Sequence, residues 1–220
     1  MNKGISRETI ILSFLYSAFY KSAGETSLND IATRLSIRKP SIYNYFESKE
    51  SLVEHTINYC STYMQSLTLI PSEITTVAQK YPLSTVFKGI VNRYYKMHDK
   101  SPLFQIYTFM KTQKYFSLVI SQNIEEHNER LTKEVLDMLK TLDACGKIRK
   151  DCVSENIALL FYSILMEQLD EYLLERKMNI LKNPTESGGL FPLPNASVAL
   201  KKAHTKMDDF ASFLSPISTF

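Results

Sequence analysis

The sequence predicts an all-α protein of about nine helices, and three observations carry that expectation. Glycine is scarce, at six of 220 residues. The eight prolines fall mostly between periodic segments, where they act as punctuation. No run alternates apolar and polar residues for long, whereas apolar residues recur at helical spacing through most of the chain. A chain of this length with 44% hydrophobic residues buries a sizeable core. It suits one domain, or a small domain followed by a larger one. We place the division so that residues 1–65 form a three-helix domain and residues 66–220 a larger helical one.

Each element has its own signals. Ser6 caps the first helix, Glu8 lies in its first turn, and Ile11, Phe14, Leu15, Ala18 and Phe19 form its apolar stripe, with Gly24 as the stop. In "TSLNDIATRL", Thr26 or Ser27 caps a short helix whose Leu28, Ile31, Ala32 and Leu35 fall at i, i+3, i+4 and i+7. Ser36 and Ile37 separate it from a third helix. Ser48 caps a fourth, with Lys49, Leu52, Thr56, Tyr59 and Tyr63 on one side. Longer helices are expected over 83–98, 102–111, 118–145 (ended by Gly146) and 154–181. A loop, "KNPTESGGLFPLPN", precedes a last helix over 196–214.

Composition excludes several classes. A net charge of +3 is too mild to announce a nucleic-acid partner. Cys60, Cys145 and Cys152 are odd in number and match no zinc spacing, so free thiols in a reducing compartment are expected. The most apolar stretch, Ile157 to Met166, is about half as long as a membrane span needs. The start carries no signal-peptide pattern. We therefore expect a soluble, cytoplasmic protein with no membrane partner. His55, His98, His127 and His204 are scattered, and no phosphate loop, dinucleotide-binding glycine pattern or nucleophile elbow occurs. No catalytic residue, metal or cofactor is expected, and the chain is not read as an enzyme.

The segment "LSIRKPSIYNYFESKE", Leu35 to Glu50, mixes aromatic and basic residues densely. Two short helices joined by a tight turn, the second basic near its start, make a helix-turn-helix, whose second helix enters the DNA major groove. Ile37, Ile42 and Phe46 are spaced to hold that helix down, leaving Arg38, Lys39, Ser41, Tyr43, Asn44 and Tyr45 outward. Pro40 suits a first helical turn. Lys39 can donate to guanine and Asn44 can pair with adenine, while Tyr43 and Tyr45 can donate to phosphates. Ser27 and Lys49 open their helices, where the positive dipole end accepts a phosphate. Residues 1–45 set Lys3, Arg7, Lys21, Arg34, Arg38 and Lys39 against Glu8, Glu25 and Asp30, a local net charge of +3.

"TSLNDIATRLSIRKPSIYNYFESKESLV" resembles the N-terminal domain of the tetracycline-repressor (TetR) family of transcriptional regulators. The pattern is carried by Ile31-Ala32, by Ile42-Tyr43-Asn44-Tyr45-Phe46, and by Lys49 and Leu52 at matching spacing. The family's glycine-valine turn is Ser36-Ile37 here. The resemblance is specific from about Arg7 to Tyr59 and beyond that rests on length and helical content. It implies that Lys39, Pro40, Ser41, Tyr43 and Asn44 meet bases or adjacent phosphates, and that Ser27, Tyr45 and Lys49 meet phosphates.

The resemblance also implies a C-terminal domain that binds a ligand and dimerises. "NIALLFYSILMEQLDEYLL" is apolar on all sides and must bury two faces. We expect Leu160, Ile164 and Leu169 of this helix, with Ala203, Met207 and Phe210 of the last helix, to form a four-helix homodimer interface. Two recognition helices would then lie about 34 Å apart, one turn of DNA, on a near-palindromic operator. An aromatic-rich stretch, Arg93 to Phe116, supplies Tyr94, Met97, Phe104, Tyr107 and Met110, which with Phe161 and Leu165 suit a small hydrophobic or aromatic effector. The expected function is a repressor released by that effector. The alternatives are an activator that needs its ligand, and an all-helical hydrophobic-ligand carrier or enzyme with a vestigial DNA-binding motif.

Overall fold

The computed structural model describes residues 4–182 and 197–216. Among the described residues there are ten α-helices and no strand: α1 (Arg7–Lys21), α2 (Leu28–Arg34), α3 (Lys39–Tyr43), α4 (Lys49–Gln65), α5 (Ile74–Lys80), α6 (Leu83–His98), α7 (Leu103–Gln113), α8 (Leu118–Ala144), α9 (Glu155–Lys182) and α10 (Val198–Leu214). A single 3-10 turn lies at Lys150–Cys152. The all-α expectation holds. The loop expected before the last helix spans residues 182–195, of which 183–195 lie outside the described residues.

The caps follow from hydrogen-bond chemistry. The hydroxyls of Ser6, Ser27, Ser48 and Ser197 each accept an amide hydrogen of the first turn they precede, satisfying a donor that the helix leaves orphaned. Ser27 rather than Thr26 caps α2; Thr26 is buried, and its hydroxyl donates to the Ser22 carbonyl at 2.7 Å. Helix α1 stops at Lys21, before Gly24, because Ser22 takes the positive φ of 124°. The stripe expected on α4 is rotated: Leu52, Thr56, Cys60 and Met64 are buried, while Tyr59 and Tyr63 are half-exposed. The sequence did not announce α5. Its Ile-Thr-Thr-Val start is β-branched and Glu73 makes no side-chain cap, so propensity and capping signals are both weak there.

The described chain forms two compact units. The first comprises residues up to 67 together with 100–127, so it takes in α7 and the start of α8 beside α1–α4. Its core joins Ile10, Phe14 and Leu15 of α1 to Ile31, Ile42, Phe46 and Leu52, and to Ile106, Phe109 and Met110 of α7. Helices α1 and α7 run antiparallel: Phe14 stands edge-on to Phe109 at 6.0 Å, and Phe19 to Phe104 at 4.8 Å. The second unit comprises residues 68–99 and 128 onward. At its centre three rings from three helices meet, Phe87 of α6 lying 5.0 Å from Phe161 of α9 and 6.2 Å from Phe210 of α10. The buried Tyr95 hydroxyl donates to the Leu165 carbonyl at 2.9 Å, tying α6 to α9.

His98 closes α6 inside this second unit, with its ring 4.4 Å from that of Tyr94. Burial disfavours the charged imidazolium and holds the pKa down at about 4, against an ordinary 6.5. Because the folded value lies below the unfolded one, stability is full above pH 6.5 and is lost as pH falls toward 4, where the unfolded chain alone takes up the proton. We expect a loss of about 3 kcal/mol across that window, measured by urea unfolding at several pH values. His98→Asn should flatten the dependence.

Candidate nucleic-acid interface

Helices α2 and α3 are pinned from beneath. Ile31, Ala32, Ile42 and Phe46 are buried, and Ile37 is half-buried. Between the helices the Ile37 amide donates to the Ala32 carbonyl at 2.9 Å, and Ser36 adopts a left-handed φ of 55°. An L-residue is strained there and glycine is not. Ser36→Gly is accordingly expected to raise stability by about 0.5 to 1 kcal/mol, read from the denaturant midpoint.

Arg38 is extended and precedes α3, and Pro40 sits in its first turn, where no amide hydrogen is needed. With Ile42 turned inward, the rest of the segment faces out: Arg38, Lys39, Pro40, Tyr43 and Asn44 are exposed, and Ser41 is half-exposed. Among the described residues the side chains of Arg38, Lys39, Tyr43 and Asn44 form no hydrogen bond or ion pair within the chain, so their donors and charges are available to a partner.

The remaining three expected contacts are engaged within the protein. The Tyr45 hydroxyl donates to the Ile5 carbonyl at 3.0 Å. Lys49 Nζ donates to the Gly24 carbonyl at 2.9 Å, and Ser27 Oγ donates to Asp30 Oδ2 at 2.8 Å. The helix starts that were expected to receive phosphates already hold carboxylates. At α2, Lys21 first, and then the amide and hydroxyl of Ser27, hold the Asp30 carboxyl down at about 2. At α4, the Glu50 amide and the Ser48 hydroxyl hold the Glu50 carboxyl below its usual range. A groove of about 480 Å³ lies between these helix starts and α3. Lys39, Tyr43 and Lys49 line it together with Glu25, Glu47 and Glu50. In the sequence Glu25 and Asp30 entered only the charge balance, although the S-x-x-D spacing of Ser27 and Asp30 is a legible capping box.

Residues 21–56, which span this whole arrangement, match the model of the bacterial regulatory proteins of the tetR family. The match is confined to this segment, from the end of α1 to the middle of α4, and is to a family of transcriptional regulators. Among curated relatives, this chain is 24% identical over 111 residues to IcaR of Staphylococcus aureus strain Newman, the HTH-type negative transcriptional regulator of the biofilm operon icaADBC. The alignment covers 50% of this chain and 56% of the relative, so the chain spans about half the length of the curated relatives it matches. The fold extends further. Escherichia coli NemR in its reduced form aligns with a TM-score of 0.60 at 12% identity, over 96% of this chain and 99% of that one. A TetR-family regulator from Cytophaga hutchinsonii aligns with a TM-score of 0.59 at 16% identity, over 98% and 100%. A transcriptional regulator from Saccharomonospora viridis, solved in complex with choline, gives 0.58 at 11% identity, over 96% and 98%.

The residues expected to line one effector pocket divide between the two units. Phe104 and Met110 are core residues of the first unit, buried by the packing of α7 on α1, and Tyr107 is half-buried on the same helix. Tyr94, Phe161 and Leu165 are buried in the second unit, with Met97 half-buried. Burial raises the Tyr94 phenol well above its ordinary range, and its hydroxyl has no hydrogen-bond partner among the described residues. The expected dimer face also needs correcting. Leu169, Ala203, Met207 and Phe210 are buried within the single chain, Phe210 against Phe87 and Phe161, so they have no surface to offer a second copy. Leu160 stays exposed and Ile164 half-exposed, and Leu174, Met178 and Leu181 are exposed further along α9; the face 160, 164, 167, 171, 174, 178, 181 follows four- and three-residue steps, with Glu167 and Glu171 at its middle. That heptad-like spacing was the signal available in the sequence. No helix among the described residues is long and apolar enough to cross a membrane.

Proposed function

We propose that this chain is a TetR-family regulator that represses transcription as a cytoplasmic homodimer on a near-palindromic operator, and that a small hydrophobic or aromatic effector releases it. The observation that carries this reading is the exposed, unpartnered row of Arg38, Lys39, Tyr43 and Asn44 above a buried three-helix core. In this reading Lys39 and Asn44 read base edges in the major groove while Arg38 and Tyr43 grip phosphates. Pro40 and Ser41 pack close to the backbone. Lys49, Ser27 and Tyr45 act at the rim, Lys49 and Tyr45 by exchanging an internal carbonyl for a phosphate oxygen. The description of IcaR as a negative regulator supports the repressor sense.

The α9 face of Leu160, Ile164, Leu174, Met178 and Leu181 is the dimer surface of this proposal, and Phe213 of α10 is exposed as well. Glu171, on the same α9 face, pairs with Lys202 of α10 at 2.7 Å, so the two helices present one continuous surface. The effector would lie in the second unit, with Tyr94, Met97, Phe161 and Leu165 among its neighbours. A coupling of about 1–3 kcal/mol between effector and DNA would weaken operator binding roughly 5- to 150-fold. Selection from a random duplex pool with the purified protein tests the reading. It should enrich two inverted half-sites one helical turn apart, about 34 Å centre to centre. Enrichment of no sequence, or of a lone half-site, overturns it.

A further inference from the structure

Between α4 and α5 the chain runs through Leu67-Thr68-Leu69-Ile70 without secondary structure, although Leu69 is buried. The Leu67 amide still donates to the Met64 carbonyl of α4 at 3.2 Å, and the backbone groups that follow need partners from elsewhere. Two side chains provide them. Glu134 of α8 accepts the Leu69 and Ile70 amides on one carboxylate oxygen, at 2.8 and 3.2 Å. Its other oxygen is held by Arg130 one turn earlier, at 2.7 Å. Arg93 of α6 donates one guanidinium nitrogen to the carbonyls of Thr68 and Leu69, at 2.9 and 3.0 Å, and the other to the Thr68 hydroxyl at 3.1 Å. Two carbonyls and two amides of this short strap thus make charge-assisted bonds to α6 and α8. The first unit ends at Leu67 and the second begins at Thr68, so the strap is where the chain leaving α4 enters the second unit.

We propose that Arg93 and Glu134 form a latch that fixes the strap at 68–70 and thereby the end of α4, and that DNA binding by this protein requires the latch to be closed. The strap's sequence carries no cap or helix signal, and apart from the burial of Leu69 these bonds are what hold it. Tyr94 follows Arg93 on α6, and Arg130 and Glu134 lie near enough to act on its buried hydroxyl. The latch therefore sits beside a residue that the effector reading uses. The inference rests on the regulator reading above and names residues that would transmit its signal. Arg93 and Glu134 are positioning residues, since neither is placed on the DNA.

The test measures affinity of the full-length protein for the duplex it selects, by fluorescence anisotropy, in four variants. Glu134→Ala and Arg93→Ala, acting from two different helices, are each expected to weaken binding about 10-fold. Glu134→Gln keeps an oxygen for the two amides and should bind within about 3-fold of the parent, a rescue that a purely electrostatic role would not give. Tyr172→Phe removes a different hydrogen bond of the second unit, the one to Asp99 at 2.7 Å, and should leave affinity unchanged. Amide hydrogen exchange at residues 69 and 70 should quicken in Glu134→Ala and not in Tyr172→Phe. Parent-like affinity in both alanine variants, or equal weakening by Tyr172→Phe, overturns the latch. If the parent selects no duplex at all, it is the regulator reading that fails; a parent that binds while both alanine variants bind equally well sinks the latch alone.

Discussion

Replacing Lys39 and Tyr43 together with alanine is expected to weaken binding to the selected duplex about 1000-fold. In the proposed reading a base-directed lysine with a phosphate-directed tyrosine is worth about 2 kcal/mol per subunit, and the proposed homodimer would lose both sets, about 4 kcal/mol in all. Stability should not change, because neither side chain bonds to the rest of the described chain and Tyr43 is 47% exposed. The dependence of log affinity on log salt should also become shallower as cationic contacts are lost. An affinity within a few-fold of the parent, at unchanged salt slope, would move the reading head elsewhere and favour a ligand carrier with an idle motif.

Phe161→Ala is expected to destabilise the protein by about 4 kcal/mol. The ring is fully buried and meets Phe87 at 5.0 Å and Phe210 at 5.8 Å, so its removal deletes apolar burial and two aromatic contacts at once. The helices around it are tied by further bonds, Lys88 to Asp208 at 2.9 Å among them, which resist collapse into the void. Urea unfolding at fixed protein concentration measures the loss. A change under about 1 kcal/mol would mean that α6, α9 and α10 do not converge on this ring. An aromatic compound that restores the lost stability by filling the cavity would locate a ligand-accessible volume in the second unit.

The N-terminal unit was legible because its signals are local. Ser6, Ser27 and Ser48 announce helix starts through side-chain bonds three residues long, and Ile31, Ala32, Ile42 and Phe46 keep the spacing that buries one face. The outward row from Arg38 to Asn44 follows once Ile42 is turned in. The charge state of the helix starts was less visible. Asp30 and Glu50 were present in the sequence, but only the bonded geometry shows them occupying positions that a phosphate would otherwise take. The turn at Ser36 keeps a left-handed backbone without glycine, because the bond from Ile37 to Ala32 and the burial of Ile42 outweigh a strain of about 1 kcal/mol.

By itself the sequence determined the helical class, the helix-turn-helix and the identity of the side chains that face outward from it, since periodicity and capping act over a few residues. Tertiary structure decided which of two apolar faces a long helix turns inward. Leu169, Ala203, Met207 and Phe210 were as suited to a partner as to a core until Phe87 and Phe161 claimed the space beside Phe210. It also decided that α7 packs on α1, taking Phe104 and Met110 into the first unit, and that Arg93 and Glu134 reach across 24 to 65 residues to hold one strap. Apolar burial is non-directional, so only the assembled neighbours determine where such a side chain goes.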